Sequence, residues 1–410
     1  MLDKIAFAGV NNSSFKQASK SLFKLAEVIV PIKQVERVCQ RIGTECVAER
    51  TAAVGAYQAL PLAERKGVPA GVTAPEVAVV GCDGGRLQIL ERTGAPVEAE
   101  EASDAADGRR GKNWREDKIG VLMSMKSVVS ASDPCPEIPE QFVDPTRIMK
   151  LARELKKQAP LNEEAAKETT EPEIGVETLA ENRAQWEPPE VLAKDLVGSR
   201  VRWPEFGPIL AMMAWQSGFY GAARQAFIGD GSENNWTIWR KHFSSFVPIL
   251  DFIHGLSYVF AAATAGRPFT EGWPLYVEWI GWVWRGEVAK VIVALAQRQL
   301  ELGEPTTADG DTSPRQIVAR ALAYLQNHQE QMRYAEYRRL GLPITSSYVE
   351  SAVKQFNQRV KGTEKFWSET GAEAMLQLRG DSLSDHDPMP TYWQNREAKQ
   401  TGQRSYHMAA

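Results

Sequence analysis

Val77-Ala78-Val79-Val80-Gly81-Cys82-Asp83-Gly84-Gly85-Arg86 is the stretch on which the fold turns. Its first half is short, apolar and β-branched, the composition of a strand buried in a sheet. It stops on an aspartate followed by two glycines. A second run, Ala226-Phe227-Ile228-Gly229-Asp230-Gly231, repeats the plan. A third stretch, Ser346-Ser347-Tyr348-Val349-Glu350-Ser351-Ala352-Val353-Lys354, reads as a helix with a glutamate in its first turn. Two strand-terminal aspartates and one helical glutamate predict three carboxylates gathered on one α/β core.

Each residue also has a plainer reading. Asp83 before two glycines, and Asp230 between two, suit turns. Ser347-x-x-Glu350 matches a capping box, in which the glutamate bonds back to the helix start. Joint occurrence in this order favours chemistry. Three oxygen donors suffice for Mg²⁺, which keeps several waters, and two such ions roughly 3.5–4 Å apart can drive in-line attack on a phosphate. Asp83, Asp230 and Glu350 are therefore the expected ligands of two Mg²⁺ ions, with Mn²⁺ as a substitute. Glycines after both aspartates leave room beside the backbone. The order strand Asp, strand Asp, helix Glu belongs to the RNase H-like fold.

Composition narrows the field. At 410 residues the chain exceeds one ordinary core, so two or three domains are expected. Hydrophobic content of 43% and charge of 24% describe a soluble protein. Cys39, Cys46, Cys82 and Cys135 contain no Cys-x-x-Cys pair, which argues against a zinc ribbon or a disulfide framework. No signal peptide is visible. The longest apolar stretch, Val247–Ala265, carries Asp251 and His254 and reads as buried strand plus helix. A cytoplasmic protein without a membrane partner is expected. Net charge is −4, yet six basic residues face two acids between Arg338 and Lys365. A local field of that sign can steer a polyanion despite the average.

Along the chain, periodicity predicts two helices from about Ser13 to Arg50, broken at Val28–Pro31, with Gly43 interrupting or ending the second. The pair suits a helix-turn-helix or any helical hairpin packed on a core. Glu76–Gly81 reads as a strand, Arg86–Glu91 as its hairpin partner, and Lys118–Met125 as a third strand. Acid-rich segments at 92–113 and 160–192 read as loop and linker. Eight of twelve tryptophans fall between Trp203 and Trp284, which implies a packed core. Phe246–Phe252 reads as a further strand, and His254 to about Leu340 as helical almost throughout.

Asp251-Phe252-Ile253-His254 sets two polar groups in apolar surroundings, where each needs a partner. His254 can meet a phosphate or brace the site with Asp251; a satisfied structural pair is the plainer reading. Lys354 lies one turn beyond Glu350 and suits a phosphate contact or an i,i+4 ion pair. Arg359 and Lys361 extend the basic strip.

Taken together, Cys82–Arg86, Phe227–Gly231, Asp251–His254 and the block from Gly341-Leu342-Pro343-Ile344 through Val349-Glu350-Ser351 to Lys361-Gly362-Thr363-Glu364-Lys365-Phe366-Trp367 resemble the ISKra group of bacterial insertion-sequence transposases. These are DDE enzymes allied to the Mutator-like superfamily. The resemblance runs from about residue 10 to the C-terminus. It implies an RNase H-like catalytic core with an all-helical insertion between the second Asp and the Glu. Its catalytic acids map onto Asp83, Asp230 and Glu350, and its Asp-x-x-His signature onto Asp251 and His254. Members carry a cysteine-bearing, zinc-ribbon-like segment before the helical hairpin, which this chain's cysteines do not supply.

The expected organisation is a helical segment over 1–68, the first part of the core over 69–255, a helical insertion over 256–340, and the Glu350 helix with a tail over 341–410. The expected activity is Mg²⁺-dependent cleavage at transposon ends followed by strand transfer, with DNA as partner and a homodimer or higher oligomer on it. A catalytically silent DNA-binding derivative and a host-adapted nuclease are the alternatives.

Overall fold

The computed structural model describes residues 1–90, 113–154, 187–362 and 364–399. Most of the expected loop at 92–113 and linker at 160–192 lies outside them. Glu190, at the end of that linker, already begins a strand.

Val77–Val80 are fully buried and open strand β1 (Val77–Ile89). β1 does not stop at Asp83. It runs thirteen residues through Gly84 and Gly85 to Ile89, antiparallel to β2 (Trp114–Lys126), from Val77↔Met125 to Gln88↔Trp114. The expected hairpin with Arg86–Glu91 is thus corrected to one long strand. Pairing with β2 keeps the two glycines extended, and a side chain across the sheet uses the space. Gly85 opposes Asp117, and a Cβ at Gly85 would lie 2.8 Å from Asp117 Oδ2.

β3 (Glu190–Ser199) continues the antiparallel side beyond β2. On the other side β4 (Arg224–Gly229) lies parallel to β1, and β5 (Val247–Leu250) parallel to β4. The order is β3-β2-β1-β4-β5, with β6 (Phe366–Trp367) parallel to β1 at Gln88 and Ile89. One edge of β1 is therefore covered by β4 as far as Gly81 and by β6 from Gln88. Asp83 lies in the interval between them.

The sheet is mixed and covered on both faces. Gly81 faces Val349 of a helix over Ser347–Val360, while Gly120, on the opposite face, meets Leu210 of a helix over Trp203–Gln216. In chain order the helices are α1 (Leu2–Asn11), α2 (Phe15–Ala26), α3 (Ile32–Ala59), α4 (Leu62–Arg65), α5 (Pro145–Glu154), α6 (Trp203–Gln216) and α7 (Glu233–His242). Between β5 and the Glu350 helix come α8 (Phe252–Thr264), α9 (Phe269–Trp284), α10 (Val288–Leu302), α11 (Pro314–His328) and α12 (Tyr334–Arg339), with no strand among them. α13 (Ser347–Val360), α14 (Glu369–Leu383) and α15 (Met389–Ala398) complete the chain's described part. The tryptophans serve as core: Trp236, Trp279 and Trp284 are buried, and the other five of the group, partly exposed, pack against the hydrophobic core.

The N-terminal hairpin forms as expected, with Ser14 Oγ capping α2 through the Gln17 amide at 3.1 Å. α3, however, passes straight through Gly43. A Cβ there would lie 2.4 Å from the Ala374 carbonyl oxygen of α14, so the glycine marks a close helix crossing, not a helix end. Arg50 of α3 reaches Glu373 at 2.6 Å and Gln377 at 2.7 Å, both on α14. These contacts hold the first helices against the core. Among the described residues no helix is long and apolar enough to cross a membrane.

Candidate active site

Register brings the acids together. β1 and β4 pair last at Gly81↔Ile228, and β4 and β5 at Gly229↔Leu250. A residue or two further on, Asp83, Asp230 and Asp251 follow at one level on three adjacent parallel strands. The C-terminal ends of parallel strands are where α/β sheets open crevices.

Asp230 is held from below. Its Oδ1 accepts from the Ser232 amide and from Asn235 Nδ2, both at 2.9 Å. Asn235 is buried, and its Oδ1 lies 3.1 Å from Cys82 Sγ. One asparagine thus ties Asp230 to the residue before Asp83. Burial, then the charges of Asp83 and Asp230, push the Cys82 thiol well up, which leaves it a neutral donor. From the helical layer, the Tyr324 hydroxyl donates to the Asp230 carbonyl at 2.8 Å, and the Tyr324 ring stacks on Tyr258 at 3.7 Å.

Asp251 is completely buried and caps α8. Its Oδ2 accepts from the His254 amide at 3.2 Å and lies 2.6 Å from His254 Nδ1. Its Oδ1 accepts from the Ser346 amide at 2.9 Å. Ser346 is the N-cap of α13, and the Glu350 amide donates to its carbonyl at 3.1 Å. Ser347 is the first helical residue and Ser346 makes no side-chain cap bond, so the helix does not begin on the capping box that gives Ser347-x-x-Glu350 its plainer reading. A buried carboxylate does the anchoring instead.

Donor atoms of Asp251, His254 and Glu350 lie within 4.8 Å of one another, a set that could hold a metal ion. Asp83 joins them electrostatically. Burial, and next the charge of Asp230, push its carboxyl up to about 6. The Gly84 amide, 2.7 Å from Oδ1, and His254 pull the other way, while Glu350 adds to the push. Asp83, Asp230, His254 and Glu350, drawn from separate parts of the chain, therefore share one field, and the surplus in it is negative.

The basic strip is less uniform than its sequence suggests. Lys354 is exposed one turn beyond Glu350, and Lys361 is exposed with its ammonium 5.6 Å from the Trp114 ring. Arg359 is not on that surface. It is buried, donates to the Gly9 carbonyl at 2.9 Å, and lies against the rings of Phe15 and Trp367. Arg338 is likewise interior, bonded to Asp133 and the Trp284 carbonyl. Their positive charge is used inside the fold.

Asn235, Tyr324 and the Ser346 amide escape a reading of the sequence. Asp230-x-Ser232-x-x-Asn235 carries a usable signal, an Asx turn running into a helix whose first turn holds an amide. Nothing near Tyr324 in sequence marks it. No known family model matches the chain, and no characterised protein matches it.

Proposed function

We propose that the chain is a divalent-metal-dependent DNA phosphoryl transferase of the DDE transposase type, built on an RNase H-like core. The observation that carries this reading is that Asp83, Asp230 and Glu350, 147 and 120 residues apart, share one field just beyond the last β1–β4 pair, Asp83 within β1, Asp230 after β4 and Glu350 on the helix above them. The sheet order and the helical layer between β5 and α13 support it further.

The donor set fits a hard cation. Asp83, whose carboxyl is pushed up by burial and by the charge of Asp230, is stabilised in its ionised form when a dication sits beside it. Asp83, Asp230 and Glu350 would hold Mg²⁺ or Mn²⁺, and ions bound there would polarise the phosphate and activate the attacking oxygen. The chain's own contribution is rigidity: Asn235 fixes Asp230, and Asp251 fixes the start of the Glu350 helix. Lys354 and Lys361 are both exposed and in this reading would meet DNA phosphates.

Labelled DNA bearing the terminal repeats that flank the gene provides the test, with Mg²⁺ or EDTA, beside the Glu350→Ala protein. Metal-dependent nicking and strand transfer, both lost in the variant, are expected. Binding without nicking would instead make this a protein that only occupies DNA. Indiscriminate cleavage without strand transfer would make it a nuclease.

A further inference from the structure

We propose that His254 is itself a ligand of a divalent ion at this site, with Asp251 behind it and Glu350 beside it, so that the site prefers a first-row transition ion to Mg²⁺. The inference rests on the phosphoryl-transfer reading and adds a nitrogen donor to its three carboxylates.

Asp251 is the reason. It lies close enough to His254 and Glu350 to count as a donor, yet both its oxygens are already engaged. Oδ1 holds the Ser346 amide, and Oδ2 holds the amide and ring of His254. Oδ2 has both lone pairs taken by His254, and Oδ1, which accepts from Ser346, belongs to a fully buried carboxylate that already holds two structural elements, so bracing is the role its bonds describe. Asp251 is therefore a positioning residue. The 2.6 Å contact commits His254 Nδ1 to Asp251, so an ion takes Nε2. A carboxylate behind an imidazole is the arrangement that fixes ring orientation and raises basicity in metal-binding histidines.

The same carboxylate seats the N-cap of α13, so one buried group sets the His254 ring and the Glu350 helix together. A merely structural Asp–His pair would not need to govern the glutamate as well. Magnesium demands oxygen ligands in near-octahedral geometry, whereas imidazole suits transition ions. That difference gives the proposal its selectivity.

The full chain is titrated with Mn²⁺, free ion being counted by electron paramagnetic resonance, with Mg²⁺ as competitor. Bound Mn²⁺ is then examined by electron spin echo envelope modulation for nitrogen coupling, in unlabelled protein and in protein carrying ¹⁵N-histidine. Expected are nitrogen coupling that changes isotope with the label, Mn²⁺ held at least tenfold tighter than Mg²⁺, and loss of coupling in His254→Gln. Asp251→Asn, with helix content checked by circular dichroism, is expected to weaken Mn²⁺ by about 10–100-fold. Mn²⁺ bound without nitrogen coupling, or with coupling unchanged in His254→Gln, overturns this inference and leaves the carboxylate site standing. No Mn²⁺ bound by folded protein overturns both.

Discussion

Two groups of buried charge sit in this molecule and are put together differently. Between α3 and α14, Arg50 meets Glu373 and Gln377, Glu373 also takes the Ser199 hydroxyl and the Arg200 amide, and Gln377 donates to Asp381. The arginine and glutamate are matched there, and the group holds two helices in place. Within β1 and at the ends of β4 and β5, four carboxylates gather around one histidine. Matched charge builds architecture, and unmatched charge of one sign in a rigid crevice is what a cation or a reaction needs.

The contrast breaks most sharply at the acids. Asp83→Ala and Asp230→Ala are each expected to lower metal-dependent strand cleavage by about a thousandfold or more while DNA binding persists, read from single-turnover nicking beside filter binding. Retained cleavage in either variant would remove that residue from the chemistry. Arg50→Ala is the matching cut in the other group. It leaves the partly buried Glu373 without its cation, held only by the Ser199 hydroxyl and the Arg200 amide, and is expected to cost about 3 kcal/mol in denaturant unfolding, with Arg50→Ala/Glu373→Gln recovering part of the loss.

Asp117 lies between the two cases. It is buried on β2, on the same face as Asp83, and neither of its oxygens has a hydrogen-bond partner. Burial, opposed mainly by Lys118, pushes its carboxyl up to about 7. The folded chain thus holds this proton through a range where the unfolded chain, titrating near about 4, has lost it. Its contribution to stability falls as pH climbs through that window and is level above it. Asp117→Asn is therefore expected to exceed the wild type by about 2–4 kcal/mol at pH 8 and to match it near pH 3.5. An equal difference at both pH values would mean that packing, not ionisation, is responsible. Least of all should matter Lys33–Glu36, a 2.8 Å pair at the surface. Lys33→Ala is expected to change stability by at most about 0.5 kcal/mol, and a larger loss would show that exposed pairs here carry structure.

Much of the site was legible because its parts are local. An apolar run reaching an aspartate, an Asp-x-x-His at a strand–helix junction and a glutamate in a first helical turn are patterns of a few residues. The misreadings came where distant segments meet. Gly84 and Gly85 looked like a turn, and β2 keeps them in a strand. Gly43 looked like a helix end, and Ala374 across the crossing explains it. Arg359 looked like surface charge, and Gly9 with the rings of Phe15 and Trp367 takes it inside. β3 and α14 were not foreseen at all. α14 carries polar residues such as Gln377 and Asp381 that are buried and bonded within the fold, so it lacks the apolar stripe by which a helix is recognised.

By itself the sequence determined where strands and helices would carry acids, because backbone preference and side-chain period act over a few residues. Tertiary structure alone decided that Asp83 sits mid-strand in an interval between β4 and β6, that Asn235 ties Asp230 to Cys82, and that Asp251 serves His254 and Ser346 at once. Those relations depend on register and on hydrogen bonds between residues as much as 153 positions apart. Only a packed chain brings such groups within 3 Å or so of each other, where directional bonds act.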